Sequence, residues 1–283
     1  MTIDDAPHLI RTIAPDMDPN VVAAVDARLG EIRRSHGVAI PLAIESGSRA
    51  WGFPSPDSDY DCRFVYVRPL DQCLTPWPRR DVIETPLDGE LDVNGWELAK
   101  ALKLLTKGNA VIIEWLTSPI AYGVDERFRS SFLDLAEQIA DRRMIGRHYL
   151  HLGMTQRDRA AADPQNVAIK RMFYALRPAA ALRWLRSRPE TAVAPMHFPT
   201  LMAECEPPPA VAAIVAELIA RKAVTRELGR AAAPDELMAF LDAEFEAGSK
   251  AFGGPRRRTL EDWRREKVAA FYRSTVFAFS APG

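Results

Sequence analysis

Residues Leu42 to Val67 read LAIESGSRAWGFPSPDSDYDCRFVYV, and this stretch decides the fold of the chain. An apolar run reaches a Gly-Ser pair at Gly47 and Ser48. A polar loop rich in glycine and proline follows, and a second apolar run, FVYV, begins soon after Asp61. This order predicts a strand, a tight turn, a short helical or looped link and a second strand.

The spacing of two acids at the entry to the second strand indicates a chemistry. Side chains alternate along a strand, so Asp59 and Asp61 point to the same side. Two carboxylates this close repel each other unless a cation lies between them, and Mg²⁺ is a usual partner for carboxylates and phosphates. Gly47 permits close backbone approach, amides at a following helix start can hold phosphate oxygens, and Ser48 adds a hydroxyl. The stretch therefore predicts nucleotidyl transfer with one or two metal ions.

The same residues resemble a known family. Ten residues separate Ser48 from Asp59, and GSRAWGFPSPDSDYD resembles the signature of the DNA polymerase beta nucleotidyltransferase superfamily. With DVNGWELAKALKLL, IIEWLTSPI and KRMFYALRPAAALRWL, the chain is similar to the predicted nucleotidyltransferases called RNA-ligase-associated, over roughly residues 38 to 190. The resemblance implies an α+β fold: a polymerase-beta-like mixed sheet with flanking helices, followed by a helical C-terminal domain.

The resemblance also implies catalytic residues. Asp59 and Asp61 would bind Mg²⁺, or Mn²⁺ in its place, together with an NTP. The superfamily uses a third carboxylate on a neighbouring strand as general base or extra metal ligand. DVNGWEL aligns Asp92 with that position, and Glu90 on the same strand face is the alternative.

Contacts to the nucleotide are expected from two segments. Gly47, Ser48 and Arg49 would hold the phosphates from the turn. Related transferases place a helical region over the sheet, and the resemblance then makes Lys170, Tyr174 and Arg177 candidates for triphosphate or base contacts. These three follow one helix face at i, i+4 and i+7, so a salt-bridged packing seam is an equal interpretation.

Other polar residues are weaker candidates, each with a plain structural interpretation. A lysine face on a predicted helix (Lys100, Lys103, Lys107) is typical of a solvated surface, and a His-x-x-His pair (His148, His151) is more typical of packing than of a metal site. The basic loop from Gly253 to Arg258 is typical of a helix entry. Asn109 and Glu114 would be site groups only through the resemblance, and Arg63, beside the acids, would assist the leaving group or lie at the surface.

Periodicity divides the chain near residue 124. Before it, a loose arm over 1–19 leads to a helix over 21–34, strands over 38–45, 64–67, 81–85, 90–93 and 120–122, and helices over 95–107 and 109–116. After it, helices are predicted over 125–140, 142–162, 166–188, 209–229, 234–249 and 259–278. We therefore expect a catalytic domain over 1–124 and a helical domain over 125–283.

Composition limits the function classes. The chain has 283 residues, a net charge of −1 and 47% hydrophobic residues, so no global charge attracts nucleic acid. No apolar run is long enough to predict a membrane span. The acidic N-terminus lacks a secretory core, and three cysteines, an odd number, fit the reducing cytoplasm.

The function expected from the sequence is Mg²⁺-dependent transfer of an NMP group from an NTP to an acceptor hydroxyl, with release of pyrophosphate. The name of the resembling family implies an RNA end as acceptor. A protein hydroxyl and a small molecule are alternatives, as is a catalytically silent nucleotide-binding regulator of the same fold. The NTP, the acceptor and the oligomeric state stay open at this point.

Overall fold

A six-stranded sheet carries the Gly-Ser loop. In the computed structural model, residues 9–163, 165–225, 229–254 and 260–280 are described. The sheet consists of β1 (Leu9–Thr12), β2 (Ala39–Glu45), β3 (Tyr60–Val67), β4 (Val82–Glu84), β5 (Leu91–Glu97) and β6 (Ala121–Asp125). Its order is β1-β6-β2-β3-β5-β4, and only β3 and β5 run parallel. This mixed sheet confirms the predicted α+β class.

Helices account for most of the other described residues. They are α1 (Pro19–His36), α2 (Gly47–Ala50), α3 (Leu70–Cys73), α4 (Leu98–Thr106), α5 (Ala110–Leu116), α6 (Glu126–Ile139), α7 (Arg142–Ala161), α8 (Ile169–Ser187), α9 (Phe198–Cys205), α10 (Pro209–Val224), α11 (Asp235–Phe252) and α12 (Asp262–Ser280). Two short strands, β7 (Val167–Ala168) and β8 (Arg230–Ala231), pair antiparallel. In the described ranges, no helix combines the length and apolar character that crossing a bilayer requires.

The two faces of the sheet are buried in different hydrophobic cores. On β2, Leu42 and Ile44 pack into a large core built mainly with α4 to α11, whereas Ala43 packs with α1 on the other face. On β3, Val65 faces the large core. This alternation follows from the two-residue period of a strand. Because both faces are covered, the ends of β2 and β3 and the loop between them are held in fixed positions.

The N-terminal arm was predicted wrongly. Leu9–Thr12 forms β1, which pairs antiparallel with β6 at the sheet edge. All four residues of β1 are exposed, so the alternation of buried and exposed residues that identifies a strand is absent. The first eight residues of the predicted arm lie outside the described part of the chain.

The start of the helix predicted over 95–107 was also wrong. Strand β5 continues through Glu97, and α4 begins at Leu98. Gly95 lies against the ring of Phe64, where a Cβ atom would overlap it. Trp96 stacks on Trp115 with ring centroids 4.0 Å apart. These tertiary contacts extend the strand against the local helical pattern.

The helices after residue 125 follow the prediction with one omission. The structure adds α9 (Phe198–Cys205), and α10 ends at Val224, within the helix predicted over 209–229. Residues 226–228 of that prediction lie outside the described ranges. The large core includes residues from both sides of position 124, and the division into two domains stays a prediction.

Candidate active site

The Gly-Ser pair lies at the end of β2, directly beside the second acid. Ser46 donates its backbone N–H to the carbonyl of Asp61 at 2.9 Å. Gly47 has φ +60°, and a Cβ atom there would overlap the Asp61 carboxylate, with Cγ at 2.9 Å. A glycine is therefore required both by the backbone conformation and by the contact. The loop and the Asp61 carboxylate are packed as one unit.

Three acids, two in the loop and one in β3, line one cavity of about 440 Å³, which we call the acid cavity. They are Asp57, Asp59 and Asp61, and Gly47 and Ser48 also line it. Asp59 and Asp61 were predicted to share a side of the chain, and the lining is consistent with that prediction. Asp57 was not singled out from the sequence. The Ser48 hydroxyl donates to Oγ of Ser58 at 2.8 Å, which ties the two ends of the loop together.

Arg49 supports the loop from outside the acid cavity. Its Nε donates to the Asp59 carbonyl at 3.2 Å, and its Nη2 donates to the Ser58 carbonyl at 2.7 Å. The guanidinium lies 3.9 Å from the ring centroid of Tyr60. Arg49 does not line the acid cavity, and its donors bind the backbone that carries Asp59. Its contact with phosphate stays a prediction.

Asp92 lies next to Asp61 on the neighbouring strand. The two residues are paired in the parallel register of β3 and β5. Glu90 is exposed before β5, and it lines a separate cavity with Arg49. The geometry therefore favours Asp92 over Glu90 as the third acid. Asp92 itself does not line the acid cavity.

Arg63 lies between Asp61 and Asp92. Its Nη2 contacts Oδ1 of Asp61 at 3.0 Å and Oδ2 of Asp92 at 2.6 Å. Burial raises the pKa of the Asp61 carboxyl, Arg63 opposes the rise, and Asp92 and Asp59 add to it. The Asp61 carboxyl thus lies in a buried environment beside two other acids, and the Arg63 guanidinium partly offsets their effect. The interpretation of Arg63 as a surface arginine was wrong.

The acids do not form a closed ligand set in this state. Among the described residues, no three acidic, histidine or cysteine side chains converge closely enough to hold one metal ion. The donors available are carboxylate oxygens, which hard cations such as Mg²⁺ prefer, and Mg²⁺ keeps waters and substrate phosphates in its shell. The donor chemistry therefore fits Mg²⁺, with the substrate supplying the missing ligands.

Helices α8 and α10 and the loop contribute further lining residues to the acid cavity. Lys170 and Tyr174, one turn apart on α8, both line it. Lys222 on α10 lines it as well, and so do the aromatic residues Trp51 and Phe53 of the loop. Lys222, Trp51 and Phe53 were not predicted as site residues. Lys222 has no local sequence signal, because only the packing of α10 brings it to the loop.

Arg177 does not line the acid cavity, and its contact with the nucleotide stays a prediction. Its Nη2 forms a buried ion pair with Oε1 of Glu114 at 3.0 Å. Tyr149 donates to the same oxygen at 3.2 Å. The guanidinium lies 4.1 Å from the ring centroid of Trp51, whose indole lines the acid cavity. Arg177 therefore positions Trp51.

Removing the charge of Arg177 is expected to destabilise the fold. Arg177→Met leaves the Glu114 carboxylate buried without its cation, which costs about 3 kcal/mol in the free energy of unfolding. Urea denaturation measures the loss. The exposed Arg171 on the same helix provides the control, and Arg171→Met is expected to change stability by less than about 0.5 kcal/mol. Equal stability of the two variants would refute the role of the ion pair.

Glu45 is a buried acid beneath the site, and it was not predicted as a site residue. It is fully buried at the end of β2. Its Oε1 accepts the backbone N–H of Asp61 at 2.8 Å, and Tyr122 donates its hydroxyl to Oε2. Burial raises the pKa of Glu45 from 4.5 to about 7. Its place directly before Ser-Gly-Ser is the only local signal of a special role.

Glu45 makes stability depend on pH with a defined sign. Between pH 4.5 and about 7, the folded state holds a proton on Glu45 that the unfolded state has released. This contribution is complete below pH 4.5 and is lost as the pH rises to about 7. Relative to Glu45→Gln, the wild type is therefore expected to lose about 3 kcal/mol over that range. Urea denaturation at several pH values measures this, and parallel profiles for the two proteins would contradict it.

The remaining candidates have structural roles or lie away from the acid cavity. Asn109 caps α5 by accepting the backbone N–H of Val111 at 2.8 Å. Lys100 pairs with Asp81 at 3.0 Å, and no lysine of α4 lines the acid cavity. His148 is partly buried, which lowers its pKa, and His151 is exposed. Of the predicted basic loop, residues 255–258 lie outside the described ranges.

A larger cavity of about 740 Å³ lies behind the Gly-Ser loop. It is lined mostly by apolar surface, with Arg49, Gly52 and Pro54 from the loop. It contains neither Asp59 nor Asp61. We therefore assign the candidate active site to the acid cavity, where the carboxylates lie.

Comparison with known proteins identifies the family of the chain. The uncharacterized protein YcgL of Bacillus subtilis (strain 168) is 39% identical over 224 residues, which cover 77% of this chain and 83% of YcgL. Residues 21–270 match the RNA repair pathway DNA polymerase beta family. This span includes the loop, all three predicted acids, most of α1 and helices α2 to α11. The chain therefore belongs to the RNA repair pathway DNA polymerase beta family, a family of DNA polymerase beta-like nucleotidyltransferases.

Proposed function

We propose that this protein is a Mg²⁺-dependent nucleotidyltransferase that moves an NMP group from an NTP to an acceptor hydroxyl. The observation that carries the proposal is the meeting of Asp59 and Asp61 with Gly47 in one cavity. Lysines and aromatic side chains line the same cavity. The lysines can bind a triphosphate, the carboxylates can bind a metal ion, and the aromatic side chains can stack on a base.

Asp59 and Asp61 would hold Mg²⁺, or Mn²⁺ in its place, with Asp92 as the third ligand. When bound, the ion neutralises the phosphate charge and makes an acceptor hydroxyl more acidic. Arg63 holds Asp61 and Asp92 side by side in this structure, so its contacts must rearrange for Asp92 to become a ligand. The raised pKa of Asp61 is consistent with a site that gains from added positive charge.

Each of the site residues has its own role in the proposed reaction. Gly47 and Ser48 would hold the phosphates against the acids, and Asp92 would accept the proton of the acceptor hydroxyl. The hydroxyl oxygen then forms a bond to the α-phosphorus while the bond to the bridging oxygen of the β-phosphate breaks. Lys170 neutralises the pyrophosphate that leaves. Positioning and charge neutralisation supply most of the catalysis in this chemistry.

The acceptor that we propose is an RNA end, because the family is named for RNA repair. A protein hydroxyl and a small molecule remain the alternative acceptors within the same reaction. We also propose a cytoplasmic location, which the three free cysteines support, since disulfides are rare in reducing compartments.

A catalytically silent nucleotide-binding regulator is the second candidate function. The observation that favours it is the engagement of Asp61 and Asp92 by Arg63, which places a cation of the chain itself between these two acids. A regulator would bind NTP through the lysines and loop without activating a hydroxyl. The two functions differ in whether label moves to an acceptor.

Transfer of label from α-labelled NTPs distinguishes the two functions. Each of the four NTPs is incubated with the protein, Mg²⁺ or Mn²⁺, and RNA with defined ends, a protein mixture or an aminoglycoside. Metal-dependent labelling of one acceptor class is the expected result, and RNA is expected to be that class. NTP binding without transfer to any acceptor would support the regulator and refute the enzyme.

A further inference from the structure

Lys222 is a nearly buried cation in the wall of the acid cavity. It is 5% exposed, and its Nζ donates to the carbonyl of Phe53 at 2.7 Å. The ammonium lies 4.8 Å from the ring centroid of Phe53 and 5.8 Å from that of Phe173. No carboxylate of the described residues forms an ion pair with it.

Burying the ammonium group of a lysine at this position costs desolvation free energy. An ammonium group has three donors, and one of them binds the Phe53 carbonyl. Burial and, to a smaller extent, the charge of Lys170 lower the pKa of Lys222 to about 8, and Asp57 opposes this shift. A buried cation of this kind is stabilised when an anion takes up its remaining donors.

The chemistry of the acid cavity restricts which anion can fill this place. A simple anion would be repelled by Asp57, Asp59 and Asp61, which line the same cavity. A polyphosphate that carries a divalent cation avoids this repulsion, because the cation meets the acids and the free phosphate oxygens meet the lysines. Lys170 and Lys222, from α8 and α10, are the two lysines that line this cavity among the described residues.

We propose that Lys222 binds the triphosphate of the NTP and forms, with Lys170, a two-lysine phosphate site contributed by α8 and α10. This inference rests on the proposed binding of NTP in the acid cavity and deepens it. The contact between Lys222 and the Phe53 carbonyl also joins this site to the loop that carries Asp57 and Asp59. A bound triphosphate would therefore contact α10 and the loop at the same time.

Calorimetric titration of the full chain tests this inference with three ligands. The ligands are ATP with Mg²⁺, inorganic tripolyphosphate with Mg²⁺, and adenosine. The variants are Lys222→Met, which keeps the length of the side chain against the two phenylalanine rings, and Lys222→Gln, which keeps a polar end. Arg221→Met is the matched control, since Arg221 is the exposed neighbour on the same helix and does not line the acid cavity.

Both Lys222 variants are expected to bind ATP and tripolyphosphate about tenfold or more weakly than the wild type. Their affinity for adenosine and their melting temperatures are expected to stay close to wild type, and Arg221→Met is expected to match the wild type throughout. If either folded Lys222 variant binds tripolyphosphate as the wild type does, the inference is wrong. If both variants unfold, protection of Lys222 from acylation by tripolyphosphate in the wild type decides, and absence of protection overturns it.

Failure of this inference is separate from failure of the proposed function. If transfer occurs and Lys222→Met leaves both transfer and binding unchanged, the proposed enzyme activity is supported and the two-lysine site is refuted. If no acceptor is labelled and Lys222→Met still weakens tripolyphosphate binding, the two-lysine site is supported and the enzyme activity is refuted.

Discussion

Asp61→Asn is expected to reduce nucleotidyl transfer about a thousandfold or more. The substitution removes the charge of the acid that Gly47 and Asp92 adjoin, while an amide of the same shape fills its place. Burial and the neighbouring acids already raise the pKa of Asp61, so loss of its charge is expected to leave the melting temperature close to wild type. Initial rates of label transfer, with melting curves on the same samples, measure both effects.

The control for this prediction is an acid outside the cavity. Asp88 is exposed and contacts Arg28 at 3.3 Å, so Asp88→Asn is expected to transfer label at the wild-type rate. Asp59→Asn is expected to behave as Asp61→Asn does. Transfer by Asp61→Asn within tenfold of the wild type would exclude this carboxylate from the chemistry.

Gly47→Ala is expected to reduce transfer about a hundredfold, because the new Cβ atom overlaps the Asp61 carboxylate. The residue also has φ +60°, which costs a side chain about 1 kcal/mol. The carboxylate must move away from the loop, so the metal and the phosphates lose their common position. Transfer rates and urea denaturation together separate the loss of activity from the loss of stability.

Gly89→Ala separates backbone strain from the clash at the carboxylate. Gly89 has the same φ of +60°, and a Cβ atom there meets nothing within 4 Å. It is expected to lose similar stability and to keep wild-type transfer. If Gly89→Ala and Gly47→Ala lose transfer equally, strain and not the overlap with Asp61 explains the effect.

Local pattern predicted the part of the site that lies within one stretch of chain. The run from Leu42 to Val67 contains both strands, the Gly-Ser pair and two acids, so period and spacing were sufficient. The third acid, Asp92, was named through the family resemblance, and the parallel register with Asp61 agrees with it. The pairing of β3 with β5 places Asp92 beside Asp61.

Tertiary contacts decided the rest, and no local pattern encodes them. Lys222 reaches the acid cavity only because α10 packs beside the loop, 169 residues along the chain from Phe53. Arg177 shares a helix face with Lys170 in sequence, yet Glu114 holds it behind Trp51. Arg63 reads as an ordinary strand residue, and its role appears only when β3 pairs with β5.

The measurement that tests the central claim most directly is titration of Mn²⁺ into the protein in the presence of a non-hydrolysable NTP analogue, followed by electron paramagnetic resonance. Wild type is expected to bind one or two Mn²⁺ ions per chain only when the analogue is present, and Asp61→Asn is expected to lose this binding. The claim that these acids hold a metal ion against a triphosphate would be contradicted if the analogue bound equally well without metal and Asp61→Asn bound Mn²⁺ as the wild type does.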